Sequence, residues 1–265
     1  MIHLVTAENR HLYRRQLERM HQLRRAFFVE ERGWTDRMLR DGGEFDDLDD
    51  DQADYLLSLE PDGDIGLSAR IRPTADRSML ADCFSELLSE AASSVKAPGV
   101  WELSRYFASP RRRGPEGLMR NMELRTAVVA ACLRRGAHRL VAVTDVYLMN
   151  TVIRTGWEHR FLGLPQAYAH GEAIAFEVRV DARVVEAMME RHGLRHPLLL
   201  HALPEEGAGL EPQELELLAQ ASAVLSPRDL HVLSRIIERL DTAGEDLSDQ
   251  AMDELMGKVR TALLG

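Results

Sequence analysis

Between Glu44 and Asp51 the chain reads EFDDLDDD: six carboxylates in eight residues, interrupted by Phe45 and Leu48. Such a run suits a metal loop, a solvated surface, or a pocket for a cation. A helix-loop-helix calcium loop needs acids at alternate positions, a central glycine and a distal glutamate. Here the acids are adjacent at Asp46–Asp47 and at Asp49–Asp51, and the run holds no glycine. No metal is therefore expected. Phe45 and Leu48 can anchor the loop and leave Asp46 and Asp49 on one side. Two neighbouring carboxylates raise one another's pKa and invite a cation. Asp50 and Asp51 read as solvated.

A second stretch, WELSRYF (101–107), carries charge inside an apolar strand pattern. Alternation puts Trp101, Leu103 and Arg105 on one face and Glu102, Ser104 and Tyr106 on the other. A charge there is costly unless it is paired or functional. A structural Glu–Arg network and a reactive site both meet that condition. Arg70, inside IGLSARIRPT, has the same need, and the acidic run can supply its partner. RRRGPEG (111–117), ahead of a helix, suits phosphate or a solvated basic loop. In LRRAFFVEERGW (23–34), Arg24, Phe28 and Trp34 fit an amphipathic helix with both aromatics in the core.

The elements that must hold these residues follow from periodicity. Residues 8–32 read as helical, and 33–52 as a polar segment. Strands are expected at 53–60 and 65–74 with a Pro-Asp-Gly turn between them. Further strands are expected at 100–107, 138–146 and 174–180. Helices are expected at 79–88, at 118–135 with a stop at Gly136, and at 147–156. This order predicts an α/β (α+β) domain with a central sheet. From about residue 182 the pattern turns helical throughout, at 182–192, 211–224, 227–241 and 248–263, with a linker at 202–212. The domain is therefore drawn at 1–194, with a helical extension at 195–265.

The chain has 265 residues and a net charge of −10. Residues 182–265 hold 15 acids and 8 bases, a net of −7, so the earlier part is close to balanced. That disfavours nucleic acid as a partner. Cys83 and Cys132 have no metal or disulfide spacing and read as buried fillers. The opening MIHLVTAENRHLYRR has no long apolar run, so a cytoplasmic protein without membrane insertion is expected.

Taken together and in order, these motifs resemble the acyl-homoserine-lactone synthases, the LuxI-type autoinducer synthases. Arg24, Phe28 and Trp34 fall on that family's arginine–phenylalanine–tryptophan motif. Asp46 and Asp49 fall on its paired aspartates, and Arg70 begins its arginine-leucine-x-proline-threonine strand. WELSRY is similar to its tryptophan-glutamate-leucine-serine-arginine-phenylalanine signature, which places Glu102 and Arg105; Tyr106 departs from it. RRRGPEG is a near miss to the arginine-x-x-glycine-x-glycine signature of N-acetyltransferases, with Glu116 in place of the second glycine. The resemblance covers about residues 1–180 and leaves the tail and the oligomeric state open.

The resemblance implies an N-acetyltransferase-like mixed, splayed sheet flanked by helices. It implies no tightly bound cofactor. S-adenosylmethionine is the substrate, and an acyl carrier protein or CoA thioester the acyl donor. S-adenosylmethionine donates its amine to the thioester, then lactonises and expels methylthioadenosine. Glu102 is the expected general base, with Asp46 its rival, and Arg70 and Arg105 organise the acids. Arg24, Phe28, Trp34, Asp46, Asp49 and Arg105 are expected at the S-adenosylmethionine site. Met122, Val141, Ala142, Val143, Thr144, Leu148 and Met149 are candidates for an acyl pocket or for ordinary core. Ala142, or Thr144 if the alignment shifts by two residues, stands where some relatives that favour 3-oxo chains have threonine; Ala142 there points to an unsubstituted acyl group. Arg111, Arg112, Arg113, Arg120, Arg134 and Arg135 can meet an acidic carrier protein or CoA phosphates. Another acyl-CoA-dependent N-acyltransferase, or a non-catalytic binding protein on this fold, are the competing readings.

Overall fold

The structure, a computed structural model, describes residues 2–34, 38–60, 62–90, 92, 94–110, 115–168 and 171–194. Arg111, Arg112, Arg113 and the helices expected beyond residue 195 lie outside them.

The apolar strands assemble into a mixed sheet. β1 (Ile2–Val5), β4 (Asp54–Leu59), β5 (Ile65–Pro73), β6 (Val100–Ala108), β7 (Arg139–Asp145), β10 (Gly171–Arg179) and β8 (His159–Phe161) lie side by side in that order, and β9 (Gln166–Tyr168) also pairs with β10. Every pairing is antiparallel except β6 with β7. That parallel pair joins only Val100–Leu103 to Arg139–Ala142. The two strands part beyond this point, which gives the splayed sheet expected.

Helices cover both faces. α3 (Pro115–Arg134) and α5 (Ala182–His192) pack together on one face, over Trp101, Leu103, Leu140 and Ala142. α3 opens on proline, whose missing N–H costs nothing in a first turn. It ends where Gly136 takes a φ of +74°, open to glycine at little cost. The other face carries α2 (Met79–Cys83) over Val141 and Ala175. It also carries α1 (Arg14–Arg24) and a π-wound turn (Arg25–Glu31), which pack over Tyr55, Leu57 and Phe107. A short α4 (Met149–Arg154) follows β7.

The polar segment 33–52 is more ordered than its composition suggests. It contains a hairpin of β2 (Met38–Arg40) and β3 (Gly43–Phe45). Its two-residue turn is Asp41–Gly42, both with positive φ. Asp-Gly is a strong sequence signal for such a turn. Gly43 is required next, because a Cβ there would come within 2.8 Å of His21 Cβ on α1.

Two expectations are corrected. Cys83 is exposed while Cys132 is buried; Cys83 closes the five-residue α2, too short to bury every face. Arg105 does not share a face with Trp101 and Leu103. Its φ is +50°, and the β5–β6 register slips between Ser68 and Arg70. This β-bulge inserts one residue and reverses the alternation. Arg105 thus joins Glu102 and Ser104, while Tyr106 turns to α3 and donates its hydroxyl to Asn121 Oδ1 at 2.9 Å.

Candidate active site

β3 and the loop after it lay the acidic run across the face bearing Arg70, Glu102 and Arg105. Every carboxylate of the run meets a guanidinium. Glu44 lies between Arg24, at 2.6 Å, and Arg105, at 2.8 Å. Asp49 takes both terminal nitrogens of Arg24, at 2.7 and 2.9 Å, and Arg70 at 2.8 Å. Asp46 takes Arg70 Nη2 at 2.9 Å and Arg105 at 2.6 Å. Further out, Asp50 pairs with Arg72, Asp47 with Arg77 and Asp51 with Arg10. The inner three acids and three arginines form a closed, charge-balanced cage.

Ordering within the cage differs from residue to residue. Glu44 and Arg24 are fully buried. Asp49 spends its oxygens on Arg24, Arg70, the Tyr55 hydroxyl and the Asp46 N–H. Burial works to raise its pKa, but Arg24 and Arg70 win and hold it well below the carboxylate range. Asp46 is also lowered, since its hydrogen bonds from Arg70 and the charge of Arg105 outweigh burial. Asp46 keeps 19% of its side chain exposed, against 4% for Asp49, so it is the cage carboxylate that faces outward.

Glu102 stands apart from the cage. Each carboxylate oxygen accepts one backbone N–H, from Met79 and Leu80, at 2.7 Å. No arginine pairs with it among the described residues, and burial raises its pKa despite those two bonds. Ser104, two residues on, accepts from Arg70 Nε at 3.0 Å and locks that guanidinium. Phe28 and Trp34 stack at 4.7 Å, and the Arg105 guanidinium lies 5.5 and 5.6 Å from their ring centres. These aromatics wall the outer side of the cage.

The structure thus brings Arg24, Phe28, Trp34, Asp46, Asp49, Arg70, Glu102 and Arg105 together. Sequence reasoning missed Glu44, which joins Arg24 to Arg105, and Arg72, which anchors Asp50. Asp50 is therefore not the purely solvated residue expected. Glu44 was legible as the acid two residues beyond the Asp-Gly turn, where the strand must run back against α1.

The acyl-pocket candidates divide between the two faces of the sheet. The pleat of β7 sends Val141 and Val143 to the α2 side and Ala142 to the α3 side, where Met122 and Met149 also pack. Thr144 is half-buried, and Leu148 is 38% exposed on the turn after β7. Of the basic candidates, Arg135 is bound to buried Asp54 at 2.7 Å, and Arg120 lies 3.6 Å from Glu123. Arg135 is therefore tied to the fold through Asp54, although its side chain stays 36% exposed.

Asp47 and Asp51 lie at the rim, with 69% and 97% of their side chains exposed. Ion pairs this exposed contribute little. Replacing both with Asn is expected to shift Tm by no more than about 3 °C in a thermal melt. A larger drop would show that the rim pairs, and not only the cage, hold the loop.

A sheet that opens between two parallel strands, beside a buried carboxylate with a raised pKa and an arginine-braced acidic cage, is suited to acyl transfer onto a cationic amine. Residues 8–188 match the family described as autoinducer synthase. The isovaleryl-homoserine lactone synthase of Bradyrhizobium diazoefficiens is 34% identical over 194 residues, 73% of this chain and 86% of that protein. An acyl-homoserine-lactone synthase of Pseudomonas aeruginosa is 32% identical over 198 residues, 72% and 94%. The solved structure of BjaI, a CoA-dependent acyl-homoserine lactone synthase with SAM and isopentyl-CoA, superposes with a TM-score of 0.70 at 31% identity, covering 77% of this chain and 94% of that one. The chain belongs to the autoinducer synthase family, the acyl-homoserine-lactone synthases, and is an acyltransferase.

Proposed function

We propose that this protein acylates the amine of S-adenosylmethionine with a short acyl group carried on CoA, and then closes the lactone to make a quorum-sensing signal. The observation that carries the reaction is the contrast between Glu102 and Asp46. A proton acceptor needs a carboxylate whose affinity for the proton approaches that of the group it serves. Burial raises Glu102, whereas guanidinium pairing lowers Asp46. Glu102 is therefore the general base, directly or through a water. Asp46 is the outward carboxylate that faces the ammonium and sulfonium charges.

The remaining residues divide by access. Arg70 and Arg105 orient Asp46 from inside the cage, where their side chains are 1% and 2% exposed. Phe28 and Trp34 supply the wall for the nucleoside. Arg24, Asp49 and Glu44 are positioning residues, since each is held between charged partners inside the cage, whereas Glu102 accepts backbone N–H groups and pairs with no arginine among the described residues. In the first step Glu102, directly or through a water, takes a proton from the ammonium; the neutral amine nitrogen then bonds to the thioester carbon, the C–S bond breaks, and the second N–H proton leaves with the thiolate as the free thiol. In the second, the methionyl carboxylate oxygen bonds to its own γ-carbon. The C–S⁺ bond breaks toward sulfur, releasing neutral methylthioadenosine.

The CoA donor and short acyl chain rest on two relatives, the isovaleryl-homoserine lactone synthase and CoA-dependent BjaI. Ala142, buried at 4% without a hydroxyl, suits an unsubstituted acyl group. Cytoplasmic location fits both substrates, and among the described residues no helix is long and apolar enough to cross a membrane. Isovaleryl-CoA and other short acyl-CoA thioesters are expected to drive methylthioadenosine release, with the matching lactone seen by mass spectrometry. Release with acyl carrier protein thioesters alone would overturn the CoA assignment. An acylated amine formed without S-adenosylmethionine would favour a different N-acyltransferase.

A further inference from the structure

A second ionic cluster lies outside the cage. Arg32, just after the π-wound turn, pairs with Asp145, the last residue of β7, and meets the Tyr147 hydroxyl at 2.5 Å. Tyr168 of β9 donates its hydroxyl to Asp145 and accepts from Arg32 at 3.2 Å. The contacts of Arg32 join segments more than a hundred residues apart in sequence. Arg32 and Asp145 keep only 19% and 10% of their side chains exposed, so the pair is well shielded from solvent.

Its location gives it a task. β7 parts from β6 after Ala142, and Asp145 lies three residues beyond that point. The π-wound turn rests on β6, where Phe27 and Phe28 pack against Phe107. The Arg32–Asp145 pair therefore spans the gap between the parted strands. A π-wound turn is rare and tends to occur at functional positions. This one carries Phe28, and Trp34 N–H is bound to the Phe28 carbonyl at 2.9 Å. What holds Arg32 also holds the aromatic wall over Arg105.

We propose that Asp145 is a positioning residue which, through Arg32, straps residues 25–34 across the splay and keeps Phe28 and Trp34 in register for S-adenosylmethionine. This rests on the synthase reading. Without the strap, the competent arrangement is populated for a smaller fraction of the time, and apparent affinity falls by that fraction. Chemistry in the bound complex is left nearly intact.

The test compares wild type with Asp145→Asn and Arg32→Met, titrating S-adenosylmethionine at saturating acyl-CoA. The KM for S-adenosylmethionine is expected to rise roughly three- to tenfold in both variants. The kcat is expected to stay within about twofold. Acrylamide quenching of the free protein is expected to increase through Trp34, since Trp101 and Trp157 are buried; Trp34→Phe in each background removes that increase. Unchanged KM and quenching in both variants overturn the proposal, as does a fall in kcat at constant KM. Absence of methylthioadenosine release by wild type would instead overturn the synthase reading, and the quenching comparison would still decide the strap.

Discussion

Glu102→Gln is expected to lower methylthioadenosine release by about a hundredfold to ten thousandfold, the usual contribution of a general base, while the protein stays folded. The amide keeps the shape of the side chain but cannot take a proton. It also turns an NH₂ toward Met79 or Leu80, whose N–H groups now meet the two carboxylate oxygens. One lost acceptor of this kind costs about 1–3 kcal/mol, which a single domain of this size tolerates. The pH profile separates Glu102 from Asp46. Glu102 is raised, so its basic form is lost as pH falls through a value above the ordinary glutamate range. Asp46 is lowered, and its basic form would persist to pH values below the ordinary aspartate range. The acid limb of kcat/KM, which reports the free enzyme, is therefore expected above the ordinary carboxylate range. A limb below it, with activity retained in Glu102→Gln, would move the base to Asp46.

How much of this was legible in the sequence depends on the kind of signal each residue gives. The strands β4, β5, β6, β7 and β10 and the long α3 came from periodicity, because burial on a sheet or helix face repeats at a fixed interval. β1, β8 and β9 were missed; these strands are three or four residues long, too short for a period to register. The β2–β3 hairpin was missed for a different reason. Its Asp-Gly turn was in plain view, but the polar run around it outweighed the turn signal. The face of Arg105 was misread because alternation assumes a regular ladder, and one residue with φ of +50° inverts it. The partners of Arg70 were correctly sought in the acidic run, since a buried guanidinium in a strand demands carboxylates. Which carboxylates it meets was set by the loop's path. That path depends on Gly43 lying against His21, a contact no local pattern encodes. The acyl-pocket candidates are those expected between the splayed strands and the helix at 118–135, and the pleat of β7 sends Val141 and Val143 to one face and Ala142 to the other.

Glu44→Gln is the complementary case, in which stability falls first and activity follows. Glu44 is fully buried between Arg24 and Arg105, and neither arginine has more than 2% of its side chain exposed. Exchanging a buried ion pair for well-packed apolar groups can be neutral, but removing one partner leaves buried charge uncompensated and costs about 3–5 kcal/mol. With Glu44 neutral, three inner guanidiniums face only Asp46 and Asp49. Arg24 can still lean on Asp49, which already takes two of its nitrogens. Arg105 has Asp46 alone, and burial already acts to lower its pKa. The expected result is a fall in Tm on the order of 10 °C. Activity is expected to be lost well below the new melting point, because Arg105 no longer fixes Asp46 or the Phe28–Trp34 wall. Glu44→Asp is no rescue, since one methylene fewer draws the carboxylate away from both arginines at once. Differential scanning calorimetry paired with methylthioadenosine release distinguishes the two glutamates: Glu102→Gln moves the rate far more than Tm, and Glu44→Gln moves both. An unchanged Tm in Glu44→Gln would mean that Arg24 and Arg105 find other acceptors, and the cage would then be a set of independent pairs instead of one balanced unit.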